Sequence, residues 1–542
     1  MSKQPDKNNF VKQAGILATA GIICRIIGIL YRRPLTSLLG LEGLGYYSMA
    51  YNIYTMILLI SSYSIPSAIS KEISRKLIIK DFKNAQRIFY AALIYVCIVG
   101  GLASLFTFFG ANLLVEENSI IVLKVFAPTI FLSSLLGVLR GYFQAQSTMV
   151  PTSISQILEQ IFNAVISISA AYFLMKSVSH ADTTTQAIYG AAGSAVGTGC
   201  GVVLALLFMM LVYLKNKNRI HKQMQQCSNI QLQPYREIFR NIIFTVTPII
   251  LSTFIYNLST SLNQTLYTKI LIYFKGFQEE IVSIRYGVFS GEAIVIANIP
   301  IALASAMAAS ILPGISGAFA LGDNKGAIQK TDVAIRYGML ISIPSAVGLF
   351  ALAKPIVLIL FPQKATIWQA SALVACLSIT VVFYSLSTIT NAVLQGIGKV
   401  NIPVLNALIS LIIQAIVLIT LLFTTKLDLF ILAIAAIVYS FFMCVLNGIS
   451  LRKELSYQIN LKKCFLIPFS AASIMGVLAY FLYNGLYFIT KINVVSLFAT
   501  IAIAAAIYLI LLFHLGGIDK SELETLPFGK KIKAFTKNDG SE

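Results

Sequence analysis

Arg25 and Arg32 stand seven residues apart in a stretch otherwise dominated by apolar and small side chains, LATAGIICRIIGILYRR. On a helix they stack on one face about 10.5 Å apart along the axis, in line with Ala14, Ala18, Gly21 and Gly28. A guanidinium stays charged and presents a planar fork of donors that matches phosphate oxygens. Two of them on a face of small residues make a cationic stripe suited to an anion such as a phosphate. Packing is the competing reading: the small residues admit a neighbouring helix, and Arg25 pairs with a buried carboxylate such as Glu159.

Three further helical faces carry polar groups. Ser48, Asn52, Thr55, Ser62 and Pro66 share one side; Thr152, Gln156, Glu159, Asn163 and Ser167 share another; Asn257, Ser261, Gln264 and Thr268 share a third. One such face alone is ordinary interhelical glue; several in one chain point to a hydrated path. The candidate substrate-contacting residues are Arg25, Arg32, Asn52, Glu159, Asn257 and Gln264. Glu159 and Glu292 are the clear intramembrane carboxylates, with a proton or cation role open for either. For Glu292 a local ion pair with Arg285, two turns earlier, is expected.

Enzymatic chemistry finds no support. The histidines, at 180, 221 and 514, are far apart, and the seven cysteines lack any CxxC spacing, so neither a metal site nor a disulfide framework is expected. With no Walker motif, ATP is not the direct energy source, leaving an ion gradient or the membrane potential. No cofactor is implied.

The elements that must position these groups follow from composition. The 542 residues are 57% hydrophobic and only 11% charged, against about 25% charged in soluble domains. Apolar runs of about 20 residues, enough to cross a bilayer as helices, recur at 14–33, 46–67, 88–110, 123–145, 153–175, 187–214, 241–271, 285–310, 335–361, 369–395, 402–424, 429–450, 464–489 and 494–515. The expectation is an all-α polytopic membrane protein of about fourteen transmembrane helices. Placing both termini in the cytoplasm puts 28 of the 41 Lys and Arg on that side, while Arg25 and Arg140 lie within spans. That bias is the positive-inside pattern. The net charge of +20 therefore reads as membrane anchoring and not as nucleic-acid binding. Trp368 sits at an outer boundary as an interface anchor.

A repeat is visible. Leu139-Arg140-Gly141, before Pro151, resembles Leu394-Gln395-Gly396, before Pro403, and SIPSAISK around Pro66 resembles ILPGISG around Pro313. Parallel repeats of this kind are a transporter signature, with substrate bound between the halves. They predict two pseudo-twofold six-helix lobes, 1–240 and 241–460, plus a C-terminal helix pair with its tail, 461–542.

Cys24-Arg25-Ile26-Ile27-Gly28, then Gly43-Leu44-Gly45 with a tyrosine-rich second helix, then Ile65-Pro66 through Lys71, resembles the start of the MOP flippase superfamily. The similarity is to its polysaccharide-biosynthesis branch in Gram-positive bacteria, with the MurJ-type lipid II flippases and SpoVB-like proteins. The resemblance implies movement of an undecaprenyl-pyrophosphate-linked sugar between leaflets of the cytoplasmic membrane by alternating access. It implies a lipid-linked oligosaccharide and membrane lipids as partners, no nucleic acid, and a monomer. It also implies a cationic cavity built from the first, second and eighth helices and a lipid groove at the last two. Arg25 matches the family's first-helix arginine, and Arg32 lies one position beyond the second. Asn52 replaces the second-helix arginine, the eighth helix keeps only Arg285 at its start, and Cys24 replaces a Ser or Thr. Two other functions compete: a multidrug antiporter of the same superfamily, which would want acidic groups where this first helix offers arginines, and a non-transporting scaffold for wall or spore-coat assembly.

Overall fold

In the computed structural model, residues 7–63, 65–146, 148–225, 232–361 and 365–517 are described. Among these residues the regular elements are all helices, and eleven are long and apolar enough to cross a membrane. The remaining expected spans, at 14–33, 46–67 and 241–271, lie on helix as well. The chain is an all-α, multi-pass membrane protein.

The helices group into two compact units, Met1–Gly291 with Leu360–Gln363, and Glu292–Ile359 with Lys364–Glu542. The first holds α1 (Lys7–Leu58), α2 (Ile65–Ile78), α3 (Phe82–Phe109), the short α4 (Ala111–Leu114), α5 (Ile120–Ala145), α6 (Val150–Ser177), α7 (Thr183–Gln225), α8 (Tyr235–Lys269) and α9 (Glu279–Tyr286). The second holds α10 (Ile294–Ala320), α11 (Asn324–Ala351), the short α12 (Ala353–Leu360), α13 (Ile367–Gly396), α14 (Asn401–Thr424), α15 (Phe430–Leu455), α16 (Ile467–Thr490) and α17 (Asn493–His514).

The first two expected spans run together in α1, which bends at Gly40, where φ is 68° and ψ 179°. Only glycine adopts that backbone at no steric cost, so the turn needs no separate loop. Past Leu58 the helix widens into a π turn, Leu59–Tyr63, ahead of Pro66. Gly141 of α5 sits directly against this proline: a Cβ there would lie 2.8 Å from the Pro66 carbonyl oxygen. The two motifs that carry the repeat therefore pack on each other within the first unit.

The order of elements repeats as well. Asp81 caps α3, accepting from the Asn84 amide at φ −84°, ψ 67°; Asp323 caps α11, accepting from the Gly326 amide at φ −83°, ψ 75°. Each capped helix is 28 residues long and is followed by a short helix, α4 or α12, and then by three long ones.

Within the first unit α6 and α7 pack most closely. Gly193, Gly197 and Gly201 form a four-residue ladder on α7 that meets Ala171, Ser167 and the Glu159 carbonyl of α6; a Cβ at Gly201 would lie 2.6 Å from that oxygen. Small residues at this spacing let membrane helices touch backbone to backbone. In the second unit α13, α14 and α15 are tied by amides. Asn447 donates to Asn391 Oδ1 at 2.8 Å and Thr390 Oγ1 at 3.1 Å, and accepts from Asn406 at 2.9 Å. The final pair, α16 and α17, pack on each other and on α11, where the Tyr508 hydroxyl donates to the Leu340 carbonyl at 3.0 Å.

Candidate anion-binding site in the first unit

The first-helix arginines behave differently from one another. Arg25 is left uncovered by protein and forms no ion pair or hydrogen bond among the described residues. Arg32 is half-buried; its Nη1 donates to the Gly291 carbonyl at 3.3 Å. Gly291 lies in the π turn Gly287–Ala293, where the backbone bonds run i→i+5 and the helix is widened. Arg32 also lies within electrostatic reach of Tyr47 and Tyr51. Their rings join Tyr54 and Phe126 in an aromatic wall, with Tyr54 and Phe126 stacked at 4.6 Å.

The face of α1 that carries these arginines abuts α6: a Cβ on Gly28 would lie 3.3 Å from Gln160 Nε2. Glu159 is the next residue, yet its partner is not Arg25. The Glu159 carboxylate takes Arg140 of α5, Nη2 to Oε2 2.7 Å, while Arg140 Nε donates to Ser155 Oγ at 2.9 Å. Ser155 in turn donates to the Thr152 carbonyl at 2.7 Å. The expected pairing of Arg25 with Glu159 is not seen: this partly covered carboxylate is taken by another arginine. Cys24, beside Arg25, lies within electrostatic reach of both Glu159 and Arg140.

Asn52 and Gln264 come together. Asn52 Nδ2 donates to Gln264 Oε1 at 2.9 Å and to the Tyr286 hydroxyl at 2.7 Å, and Gln264 Nε2 donates to the Met49 carbonyl at 2.9 Å. This clasp, with Gly287 pressed on Gly45, binds α8 and α9 to α1 and explains why they group with the first unit. Asn257 is exposed and has its own contact. Many hydroxyls of the polar faces turn back on their own helices, as Thr55 to the Tyr51 carbonyl and Ser62 to that of Leu58. The interhelical links are made by amides, charged groups and a few hydroxyls, as Ser167 of α6 to the Ser194 carbonyl of α7 at 2.9 Å. Thr198 of α7, for example, donates to Asn163 Oδ1 of α6 at 3.3 Å.

Glu292 departs from expectation. It is 1% exposed, its Oε1 has no hydrogen-bond partner among the described residues, and Arg285 lies over the Phe277 ring at 5.0 Å instead of pairing with it. Sequence reasoning gave Arg140 no role; its signal was an intramembrane arginine on the helix next to the one bearing Glu159. Among the described residues no cluster of His, Cys, Asp and Glu could hold a metal ion.

The polysaccharide biosynthesis protein family matches residues 10–319, more than half of the chain. The chain belongs to this family. Residues 291–421 also match the MatE family. Two curated relatives, both from Bacillus subtilis (strain 168), align along nearly the full length. Lipid II flippase MurJ is 22% identical over 94% of this chain and 96% of its own, and stage V sporulation protein B is 24% identical over 96% and 98%. Among solved structures the fold resembles lipid II flippase MurJ in an inward closed conformation (TM-score 0.66, 15% identity, 91% of this chain and 97% of that one). It also resembles an inward-facing multidrug resistance MATE family transporter of the MOP superfamily (TM-score 0.62, 17% identity, 79% and 98%). The fold is thus that of these multi-pass membrane proteins, and the Arg140–Glu159 pair of the first unit is where this chain departs from plain helix packing.

Proposed function

We propose that this protein is a flippase that carries an undecaprenyl-pyrophosphate-linked cell-wall precursor, lipid II-like or another lipid-linked oligosaccharide, across the cytoplasmic membrane by alternating access. The observation that carries the reading is Arg25, a charged side chain within a membrane span that forms no ion pair or hydrogen bond among the described residues. Arginine at a helix centre costs about 2.5–3.5 kcal/mol on insertion scales. A cost of that size without a pairing return fits a group kept for a ligand, and a diphosphate suits a guanidinium. Arg32 adds a second positive charge on the same face. Asn52, Glu159, Asn257 and Gln264 supply the polar wall along which the sugar passes. The lipid tail stays in the bilayer or along the last two helices. Both termini lie in the cytoplasm, an ion gradient or the membrane potential drives the cycle, and the working unit is a monomer. In this reading the moving lobes divide near residue 240, with α8 and α9 exchanging their clasp to α1 during the cycle.

The likeness to MATE transporters favours a second reading, export of organic cations. Against it, the first unit carries Arg25 and Arg140 within its spans and Arg32 near the end of one, while among the described residues the carboxylate Glu159 is paired with Arg140, a balance that repels cations. The deciding experiment is flipping of a labelled lipid-linked sugar in vesicles, with thermal stability in detergent measured alongside. Arg25→Ala should fold with unchanged Tm and lose transport, while Arg25→Lys should keep part of it as a point charge. Wild-type flipping by a well-folded Arg25→Ala protein would remove the mechanism.

A further inference from the structure

The Arg140–Glu159 pair is unusual in how little of each partner it uses. Arg140 is bound through Nη2 and Nε, leaving Nη1 without a partner, and Glu159 through Oε2 alone. The pair is also open, with the side chains 15% and 30% exposed. A monodentate, half-open ion pair within a span is a poor stabiliser, because desolvation offsets most of the attraction. Nor does the fold require one. In the second unit the repeat has Gln395 where the first has Arg140, and α13, α14 and α15 are tied by the neutral amides of Asn391, Asn406 and Asn447.

Both charged residues stand on rigid supports. Gly141, next to Arg140, is fixed against the Pro66 backbone, and the Glu159 backbone is pressed by Gly201. Groups held this way keep their positions when a ligand arrives, as a binding site requires. Arg25, unpartnered among the described residues, stands on the face of α1 that meets α6 beside Glu159, three residues before Gly28, where a Cβ would lie 3.3 Å from Gln160 Nε2.

We infer that Arg140 is a further anion-binding side chain, beside Arg25 and Arg32, and that Glu159 is its resident counter-ion, displaced when a diphosphate enters and returning to expel it. This rests on the flippase reading and adds residues to it. In the empty site the carboxylate neutralises Arg140. A diphosphate approaching Arg25 meets the free Nη1 of Arg140, takes over its Nη2, and leaves Glu159 repelling the bound anion. The repulsion weakens binding and speeds release, which a carrier needs more than affinity.

The test uses the full-length protein in detergent and measures binding of farnesyl diphosphate, with inorganic pyrophosphate as a parallel arm. Glu159→Gln should bind farnesyl diphosphate about tenfold more tightly than wild type, since a competing and repelling charge is gone, yet flip its lipid more slowly. Arg140→Gln leaves Glu159 uncompensated and risks misfolding, so Arg140→Gln/Glu159→Gln is the companion; it keeps the site neutral and should bind about tenfold more weakly than Glu159→Gln. Tightening in both arms assigns the site to the diphosphate itself; tightening for farnesyl diphosphate alone assigns it to a lipid-borne diphosphate. Wild-type protein that binds neither probe overturns the flippase reading and this inference together. Wild-type binding that Glu159→Gln leaves unchanged, with only Tm lowered, overturns the inference alone.

Discussion

The arginines of this chain separate by what they touch, and their substitution costs should separate likewise. Removing Arg25 deletes no contact, so Arg25→Ala belongs with surface changes, within about 0.5 kcal/mol. Arg140→Ala strands a partly covered carboxylate. Such a loss lies between an exposed pair, at most about 1 kcal/mol, and a fully buried one, about 3–5 kcal/mol; about 2 kcal/mol is expected. Chemical or thermal unfolding in detergent measures both, and adding Glu159→Gln to Arg140→Ala should recover most of the loss. If Arg25→Ala proves the more destabilising, Arg25 is a packing residue. The sequence made Arg25 conspicuous because a charge inside an apolar run stands out whatever surrounds it. It also showed Arg140 and Glu159 on neighbouring helices. Their pairing was hidden because it depends on the rotation of α5 against α6, set by Gly141 and the α7 glycines and not by hydropathy.

At the scale of elements, hydropathy located the spans well, since a bilayer demands long apolar helices wherever the chain crosses. It missed how they are joined and deformed. The bend at Gly40, the π turns at Leu59–Tyr63 and Gly287–Ala293 and the caps at Asp81 and Asp323 are local backbone events that leave the mean hydropathy of a window almost untouched. The glycine ladder of α7 was legible in AAGSAVGTGCG, but its target was not. Because Gly201 abuts the Glu159 carbonyl, any side chain there must push α6 away. Gly201→Val should cost about 1–3 kcal/mol, the range for overpacking a filled contact, and should weaken transport beyond its effect on folding by pulling Glu159 from Arg140. Unfolding and flipping on the same preparation separate the two effects. Unchanged stability would mean that α6 and α7 can slide at no cost.

For the molecule as a whole, the repeat was legible as two pairs of motifs about 250 residues apart. The structure adds the recurring aspartate cap and short helix, which were lost to reading because a single Asp before a helix is common. The halves differ in how neighbouring helices are tied: α5 and α6 are joined by the Arg140–Glu159 ion pair, and α13, α14 and α15 by amides, while the second unit keeps buried charges of its own in Glu292 and Arg336. Orientation is the remaining whole-chain property, and it rests on where the bases lie. Fourteen crossings return the C-terminus to the side of the N-terminus, and placing both inside assigns 28 of the 41 bases to the cytoplasm. Each cytoplasmic Lys or Arg near a span resists translocation, so the excess favours this proposed insertion. Lys217, at the basic end of α7, is then inside, and His180, between α6 and α7, is outside. With Lys217→Cys and His180→Cys each read against the parent chain, a membrane-impermeant thiol reagent added to intact cells should label position 180 and spare position 217 until the membrane is permeabilised. Strong labelling at 217 in intact cells would invert or break the fourteen-crossing arrangement, and with it the direction in which a cytoplasmic precursor would first meet Arg25.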